Sequence, residues 1–382
     1  MKRIFHKIAL LTTLAAGLAA CSSESQLTSE PAPRTREMRL TIDSPSNDPN
    51  AEKIHRVRFI VFNNLTYAPK VDVNEYIEVS DGSEDIPVMG FSATLEVTED
   101  PDKLIVAIVN EPTGAWKAVL DGIIHPSQFD NLGFMLADAL NGADNPVTAA
   151  ADLTPSGIPM IGMIWANIPD SALEEEEQNA RPWSENITVE RILARVDIFI
   201  KNLDNTRKAS VTPAKTSIEL YNTSTKGYMF RSYYTNGAGQ TKQAGRWLTT
   251  SNSYYDRNTS MTWVPASTET INNTNGGQDG QYVCSFYMPE WQYDNSAVTA
   301  QDKLGLKFTG VLDSGLEERG GTFYLTEATL QGTGAPRTLT AIERNNVYQL
   351  TATVEPGRDF LIFGSITVAP WDEVKNIGLP IN

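Results

Sequence analysis

Apolar and polar positions alternate along most of this chain with the period of two that marks β-strands. Met38, Leu40 and Ile42 alternate with Arg39, Thr41 and Asp43, which predicts a short half-buried strand closed by the turn-forming run Ser44 to Asn50. Residues 57–62 (Val-Arg-Phe-Ile-Val-Phe) and 104–109 (Leu-Ile-Val-Ala-Ile-Val) are β-branched runs of strand length, and 158–165 reads as a further strand with Pro159 near its start. Two patches change the period to 3.6. Trp116, Val119, Leu120 and Ile123 form one helical stripe, and Phe129, Leu132, Met135, Leu136 and Ala139 a second. Ser127 with Asp130 resembles a capping box for the second, and Asn141-Gly142 supplies its stop. From residue 187 onward the pattern is almost wholly β. Strands are expected at 187–200, 217–221, 228–234, 281–287, 304–312, 322–330, 347–354 and 360–368, separated by Gly, Asn and Ser clusters, a spacing that suggests a sandwich.

Between these two halves, residues 170–186 hold Glu174 to Glu177 and Pro182 with few apolar positions. Four consecutive carboxylates point in different directions on any backbone, so the stretch reads as a solvated linker rather than a cation site. The expected organisation is a signal peptide at 1–21, a polar leader at 22–36, a β-sandwich domain at 37–169, the acidic linker at 170–186 and a second β-sandwich domain at 187–382. The fold class is mainly β, with a few short helices in the N-terminal domain.

The leader changes the picture most. Lys2, Arg3 and Lys7 precede an apolar run from Ile8 to Ala20, and Leu18-Ala19-Ala20-Cys21 ends it. This order resembles the bacterial lipoprotein signal, in which small residues stand ahead of a cysteine that is cleaved free and lipidated. The run is shorter than the ~20 residues needed to span a bilayer. Cys21 is therefore the candidate lipidation residue, and the outer membrane is the expected partner of its acyl chains, each buried methylene adding about 0.8 kcal/mol.

Charge excludes nucleic acid as a partner. The formal net charge is −16 and becomes −19 when the three basic residues leave with the leader. With Cys21 consumed only Cys284 remains, so stability has to come from the core, and Cys284 in its apolar run reads as a small buried hydrophobe. No catalytic residue, metal ligand set or cofactor is predicted: HExxH, GxSxG, CxxC and Walker patterns are missing, and His55 and His125 stand alone. Gly237-Ala238-Gly239 and Gly332-Thr333-Gly334 lack the context of a phosphate loop, and 272–280 lacks the spacing and closing Glu of a calcium loop. Tyr233, Tyr234, Trp247, Tyr254, Tyr255 and Trp263 are read as core and turn packing, with a stacking platform for glycan or host protein as the alternative.

Three later segments carry a family likeness. They are Val189 to Asp197 (Val-Glu-Arg-Ile-Leu-Ala-Arg-Val-Asp), Glu343-Arg344-Asn345-Asn346-Val347-Tyr348, and Ile366-Thr367-Val368-Ala369-Pro370-Trp371. In this order behind a lipoprotein signal, with the strand ending at Asn63 and the strand 104–110 feeding helices, the chain resembles the fimbrillin family, the subunits of type V pili. The resemblance implies a pair of transthyretin-like sandwiches, removal of the first strand by an outer-membrane protease, typically Arg-specific, and refilling of its groove by a neighbour's C-terminal strand.

On that reading Met38, Leu40 and Ile42 form the displaced strand, Arg34, Arg36 and Arg39 are the candidate processing residues, and Val374, Ile377, Leu379 and Ile381 form the donor strand. The implied partners are copies of itself or other fimbrial subunits, the outer membrane, the processing protease, and host protein or glycan. One departure stands out: Ser44 to Ala51 contains no Arg, and cutting at Arg34 or Arg36 would detach the lipid while leaving the groove filled. A different protease, a first strand that stays in place, or an uncleaved anchor subunit all satisfy the pattern. Pairing of the tail within its own domain is the less favoured alternative, and a monomeric surface lipoprotein that binds glycan or host protein is the alternative function.

Overall fold

The computed structural model describes residues 34–43, 53–63, 70–79, 86–87, 91–112, 114–140, 144–147, 157–168, 183–204, 206–230, 232–235, 241–244, 259–271, 280–292, 303–314, 317–325, 329–331, 337–338, 341–355 and 358–370. All lie in one compact unit, Arg34–Asn382.

The first sandwich has two unequal layers. One is a three-stranded sheet in which Thr35–Asp43 lies between Trp183–Thr188 and Phe91–Thr98. The other is a five-stranded sheet in the order Glu190–Arg191, Met160–Ile168, Asp100–Val109, Arg56–Asn63, Lys70–Glu78. Met38, Leu40, Ile42, Leu95, Val97 and Ile187 from the small sheet meet Val57, Phe59, Val61, Ile105, Ala107 and Val109 from the large one. The layers come close: a Cβ at Gly162 would collide with the Thr188 carbonyl, so that position needs glycine.

Arg56–Asn63 is buried along nearly its whole length because the sheet is covered on both faces. Its second face, with Ile60, Phe62, Leu104, Val106 and Ile108, packs on the helix Ala115–Asp121 through Trp116 and Leu120, on Phe129 and Phe134, and on Ile192, Leu193, Phe230, Tyr287 and Val347 of the later strands. Phe129 stacks on Phe230 at 4.1 Å between ring centroids.

The second sandwich joins two sheets of six strands. One runs Gln281–Pro289, Leu193–Asn202, Asn346–Val354, Ile362–Pro370, Thr329–Gln331, Arg337–Thr338. The other runs Thr259–Trp263, Ser217–Thr223, Gly305–Asp313, Ala209–Val211, Glu269–Thr270, with Glu317–Tyr324 also paired to Gly305–Asp313. Leu193–Asn202 is central and pairs antiparallel on one side and parallel on the other.

Several sequence expectations are corrected here. The second helical stripe is broken into a 3-10 turn Pro126–Asn131, a strand Gly133–Met135 and a helix Leu136–Ala139. Tertiary pairing wins: Gly133–Met135 hydrogen-bonds to Lys226–Tyr228, which holds it extended. The capping box there is His125 with Gln128, whose Oε1 accepts from the His125 N–H at 2.8 Å, in place of Ser127 with Asp130. Pro126, with its preset φ, starts the turn two residues earlier than expected. The strand 187–200 is three strands, Trp183–Thr188, Glu190–Arg191 and Leu193–Asn202. The expected strands 228–234 and 322–330 each divide as well, into Lys226–Tyr228 with Ser232–Thr235 and Glu317–Tyr324 with Thr329–Gln331.

Candidate functional site

The seat of the first strand is the candidate site. Thr35–Asp43 runs antiparallel to Phe91–Thr98 from Thr35 opposite Thr98 to Ile42 opposite Phe91. On its other edge it runs parallel to Trp183–Thr188 from Met38 opposite Trp183 to Asp43 opposite Thr188. Both edges of the backbone are therefore paired, and Met38, Leu40 and Ile42 are each 0 % exposed in the core. At about 1.5 to 3 kcal/mol for each fully buried apolar side chain, the seat holds the strand by its side chains as well as by its ladder.

The solvent face of the strand is polar, as the period of two requires. Thr35 Oγ1 donates to Glu96 Oε1 at 2.6 Å, and the Thr41 and Ser92 hydroxyls are 3.0 Å apart. The Arg36 guanidinium lies over the Trp183 ring, 5.6 Å from its centroid, and closes the lower end of the core.

The sequence-predicted processing residues fall on this same element. Arg39 is exposed, but its backbone stands opposite both Thr94 and Ser184. Arg36 stands opposite Val97, and the carbonyl of Arg34 accepts from the Glu99 N–H at 2.9 Å. A protease that needs extended, unpaired backbone meets it within this strand only after the strand has opened. Cys21, Val374, Ile377, Leu379 and Ile381 lie outside the described residues, as do Trp247, Tyr254 and Tyr255. Trp263, from the aromatic segment, is 4 % exposed and belongs to the second core, so it offers no stacking face.

The segments that carried the family likeness are internal scaffolding. Arg195 and Asp197 form a two-pronged pair at 2.8 and 3.1 Å, buried on the face of Leu193–Asn202 turned away from the second core, and Ser285 Oγ donates to Asp197 Oδ1 at 2.5 Å. Burial pushes the Arg195 guanidinium down, but the Asp197 carboxylate more than offsets it and raises the group above its ordinary value. Arg344 pairs with Glu290 at 2.8 Å and donates to the carbonyls of Met229 and Tyr228 at 2.7 and 2.9 Å. Asn345 takes a left-handed φ of 58°, a conformation Asn tolerates, and its Oδ1 accepts from Arg191 Nη1 at 3.0 Å. These residues join strands distant in sequence.

Cys284 is fully buried and its thiol is pushed well up by desolvation, as expected of a packing residue. The His55 N–H donates to Asn110 Oδ1 at 2.9 Å, and His125 is the N-cap of its turn. Among the described residues no group of three His, Cys, Asp or Glu converges as a metal site.

Sequence reasoning missed Trp183–Thr188 as the second wall of the seat. Its alternation of Trp183, Glu185 and Ile187 is short and follows the acidic run, so its one fully buried apolar residue, Ile187, was assigned to the next strand.

No protein-family model matches the chain, and no curated protein matches it. Among solved structures it is similar to a fimbrilin (fimA) from Porphyromonas gingivalis, with a TM-score of 0.50 and 12 % identity over 88 % of this chain and 97 % of that one. The tip fimbrial protein Mfa3 from Porphyromonas gingivalis, with C-terminal truncation, gives a TM-score of 0.49 and 12 % identity over 88 % and 100 %. A putative cell adhesion protein from Parabacteroides distasonis gives 0.48 and 15 % over 89 % and 97 %. Two stacked sandwiches, a first strand seated between two others and the match to the solved fimbrilin together show that this chain has the fimbrilin fold.

Proposed function

We propose that this chain is a structural subunit of a cell-surface fimbria, exported as a lipoprotein through Cys21 and joined to copies of itself or to other fimbrial subunits by strand exchange at the seat of Thr35–Asp43. The observation that carries the reading is that seat. The first strand is the middle of its sheet and the first described element of the chain, with both of its sheet neighbours later in the sequence. Withdrawing it leaves two unpaired strand edges facing each other above an apolar floor, which is the complement of an added strand with alternating apolar side chains. Ile377, Leu379 and Ile381, with Val374, have that alternation and are the proposed donor.

Processing is proposed in the stretch from Arg34 to Lys53. A cut beside Arg34 or Arg36 separates lipid from subunit and leaves Met38, Leu40 and Ile42 in place. Opening the seat needs a cut beyond Asp43, or withdrawal of an uncut strand. N-terminal sequencing of surface-shed protein separates these routes: a terminus at 35 or 37 marks release alone, and one between 44 and 54 marks opening.

The decisive experiment uses two purified proteins, one beginning at residue 44 and the same protein lacking 372–382. The first is expected to form ladders resistant to mild detergent, and the second to remain monomeric and folded. Monomers of both would sink the proposal.

A further inference from the structure

The first sandwich holds a second constellation, outside the seat and independent of the polymerisation reading. Lys103 is 0 % exposed, and its ammonium is 2.9 Å from Asp72 Oδ2, whose own side chain is 9 % exposed. Lys103 Nζ also donates to the amide Oδ1 of Asn63, and the amide nitrogen of Asn63 donates to Thr98 Oγ1. Nζ lies 3.4 Å from that same hydroxyl, and the Thr98 N–H donates to Asp72 Oδ2 at 2.8 Å. A buried amine, a side-chain amide and a carboxylate are thus brought to one point.

The backbone is irregular around this point. The pairing of Arg56–Asn63 with Lys70–Glu78 shifts register between Val61 and Phe62, so that Asp72 is the extra residue of a β-bulge, which turns its side chain from the regular alternation. The pairing of Asp100–Val109 with Met160–Ile168 shifts between Asp100 and Lys103. Lys103 precedes Ile105, Ala107 and Val109 on the core face, two residues apart along the strand. A lysine placed there has no route to solvent, and burying its charge costs several kcal/mol unless the site uses it.

We propose that Lys103 and Asn63 form an intramolecular isopeptide bond, with Asp72 as the proton-transfer group. Asp72 takes a proton from Nζ, and the resulting amine attacks Cγ of Asn63, which its contact with Oδ1 places within reach. The Nζ–Cγ bond forms and the Cγ–Nδ2 bond breaks. Asp72 returns its proton to the departing nitrogen, which leaves with the second proton of the amine as ammonium, so no other reactant is needed and Asp72 ends as a carboxylate. Thr98 holds both Asp72 and the leaving amide nitrogen in place. Asn63 is the electrophile because Asp72, held by the Thr98 N–H, is occupied in carrying the proton while the amide of Asn63 is in contact with Nζ. The product ties the last residue of Arg56–Asn63 to the adjacent strand Asp100–Val109 by a covalent bond.

Intact-mass measurement of the purified exported chain, followed by tryptic mapping, tests this. The mass is expected to be lower by one ammonia than that calculated for the processed, lipidated chain. Trypsin should release the 59–70 peptide joined to a 71–117 peptide that is uncut after Lys103. Asp72→Asn, which keeps the shape but removes the base, should return the full mass. The full calculated mass in the wild-type protein, with 59–70 recovered as a separate peptide, overturns the proposal. So does an ammonia loss confined to one peptide. Loss of one water instead, joining Lys103 to Asp72, also overturns the assignment to Asn63.

Discussion

The two sandwiches each bury an apolar core, the second the larger, and close it differently. The first relies for one whole layer on the N-terminal strand, flanked by only two others. In the second, the central strands Leu193–Asn202 and Asn346–Val354 are internal to the chain and each layer has six members. Their charges differ in the same sense. Arg195 and Asp197 are 1 % and 0 % exposed, whereas Arg58 reaches from Glu111 in the interior to Asp121, which is 46 % exposed. The second sandwich is thus closed by strands internal to the chain, whereas one layer of the first depends on its first described strand.

This contrast breaks first at its most buried point. Arg195→Ala strands Asp197 without its partner and is expected to destabilise the second sandwich by about 4 kcal/mol, read as a loss of stability in urea unfolding. A change below 1 kcal/mol would mean that Ser285 and water satisfy the carboxylate, and that the second scaffold is less closed than it looks. Leu40→Ala should cost about 3 kcal/mol and act through the first strand alone. Hydrogen exchange is the readout, with faster exchange expected in Phe91–Thr98 and Trp183–Thr188 and unchanged protection in Leu193–Asn202. Equal loosening of both sandwiches would abolish the distinction drawn here.

The smallest effect concerns the exposed end of the Arg58 network. Hydrogen bonding to Lys117, with Arg58 beside it, holds the Asp121 carboxyl below its ordinary range. A carboxyl lowered by folding stabilises the native state above its unfolded value and loses that contribution as pH falls through the folded one. Asp121→Asn should therefore cost less than about 1 kcal/mol at pH 7, given its exposure, and nothing at a pH below both values. A penalty that persists in acid would show that the side chain acts by shape rather than charge.

Much of this architecture was legible in period-two patterning. Met38, Leu40 and Ile42 face the core as their alternation requires, and the runs 57–62 and 104–109 are strands buried on both faces. Cys284, with no charge nearby in sequence, is the packing residue its apolar context implied. What periodicity could not give was pairing across long distances. Phe129 to Ala139 has helical spacing, yet the strand Lys226–Tyr228, far along the chain, pulls Gly133–Met135 straight. The cluster of Asn63, Asp72 and Lys103 was invisible for the same reason, since its three members come from three strands and only a lone Lys ahead of an apolar run hints at it. Arg191 and Arg344 stand in the sequence as a pattern without an evident purpose, and the structure supplies one in the ties they make between segments distant along the chain.

The parallel pairing of Thr35–Asp43 with Trp183–Thr188 also sets a timetable. The first strand is made early, but one of its two neighbours emerges only after all the other long strands of the first sandwich have been synthesised. Contacts so far apart along the chain close late, because the intervening segment must be ordered before they repay its lost freedom. Until Thr188 has arrived the nascent sandwich has a vacancy flanked on one side by Phe91–Thr98 alone, so the interval between export and the docking of Trp183–Thr188 is when a foreign strand competes best for the place, and a slower folder would be the more easily mispaired subunit.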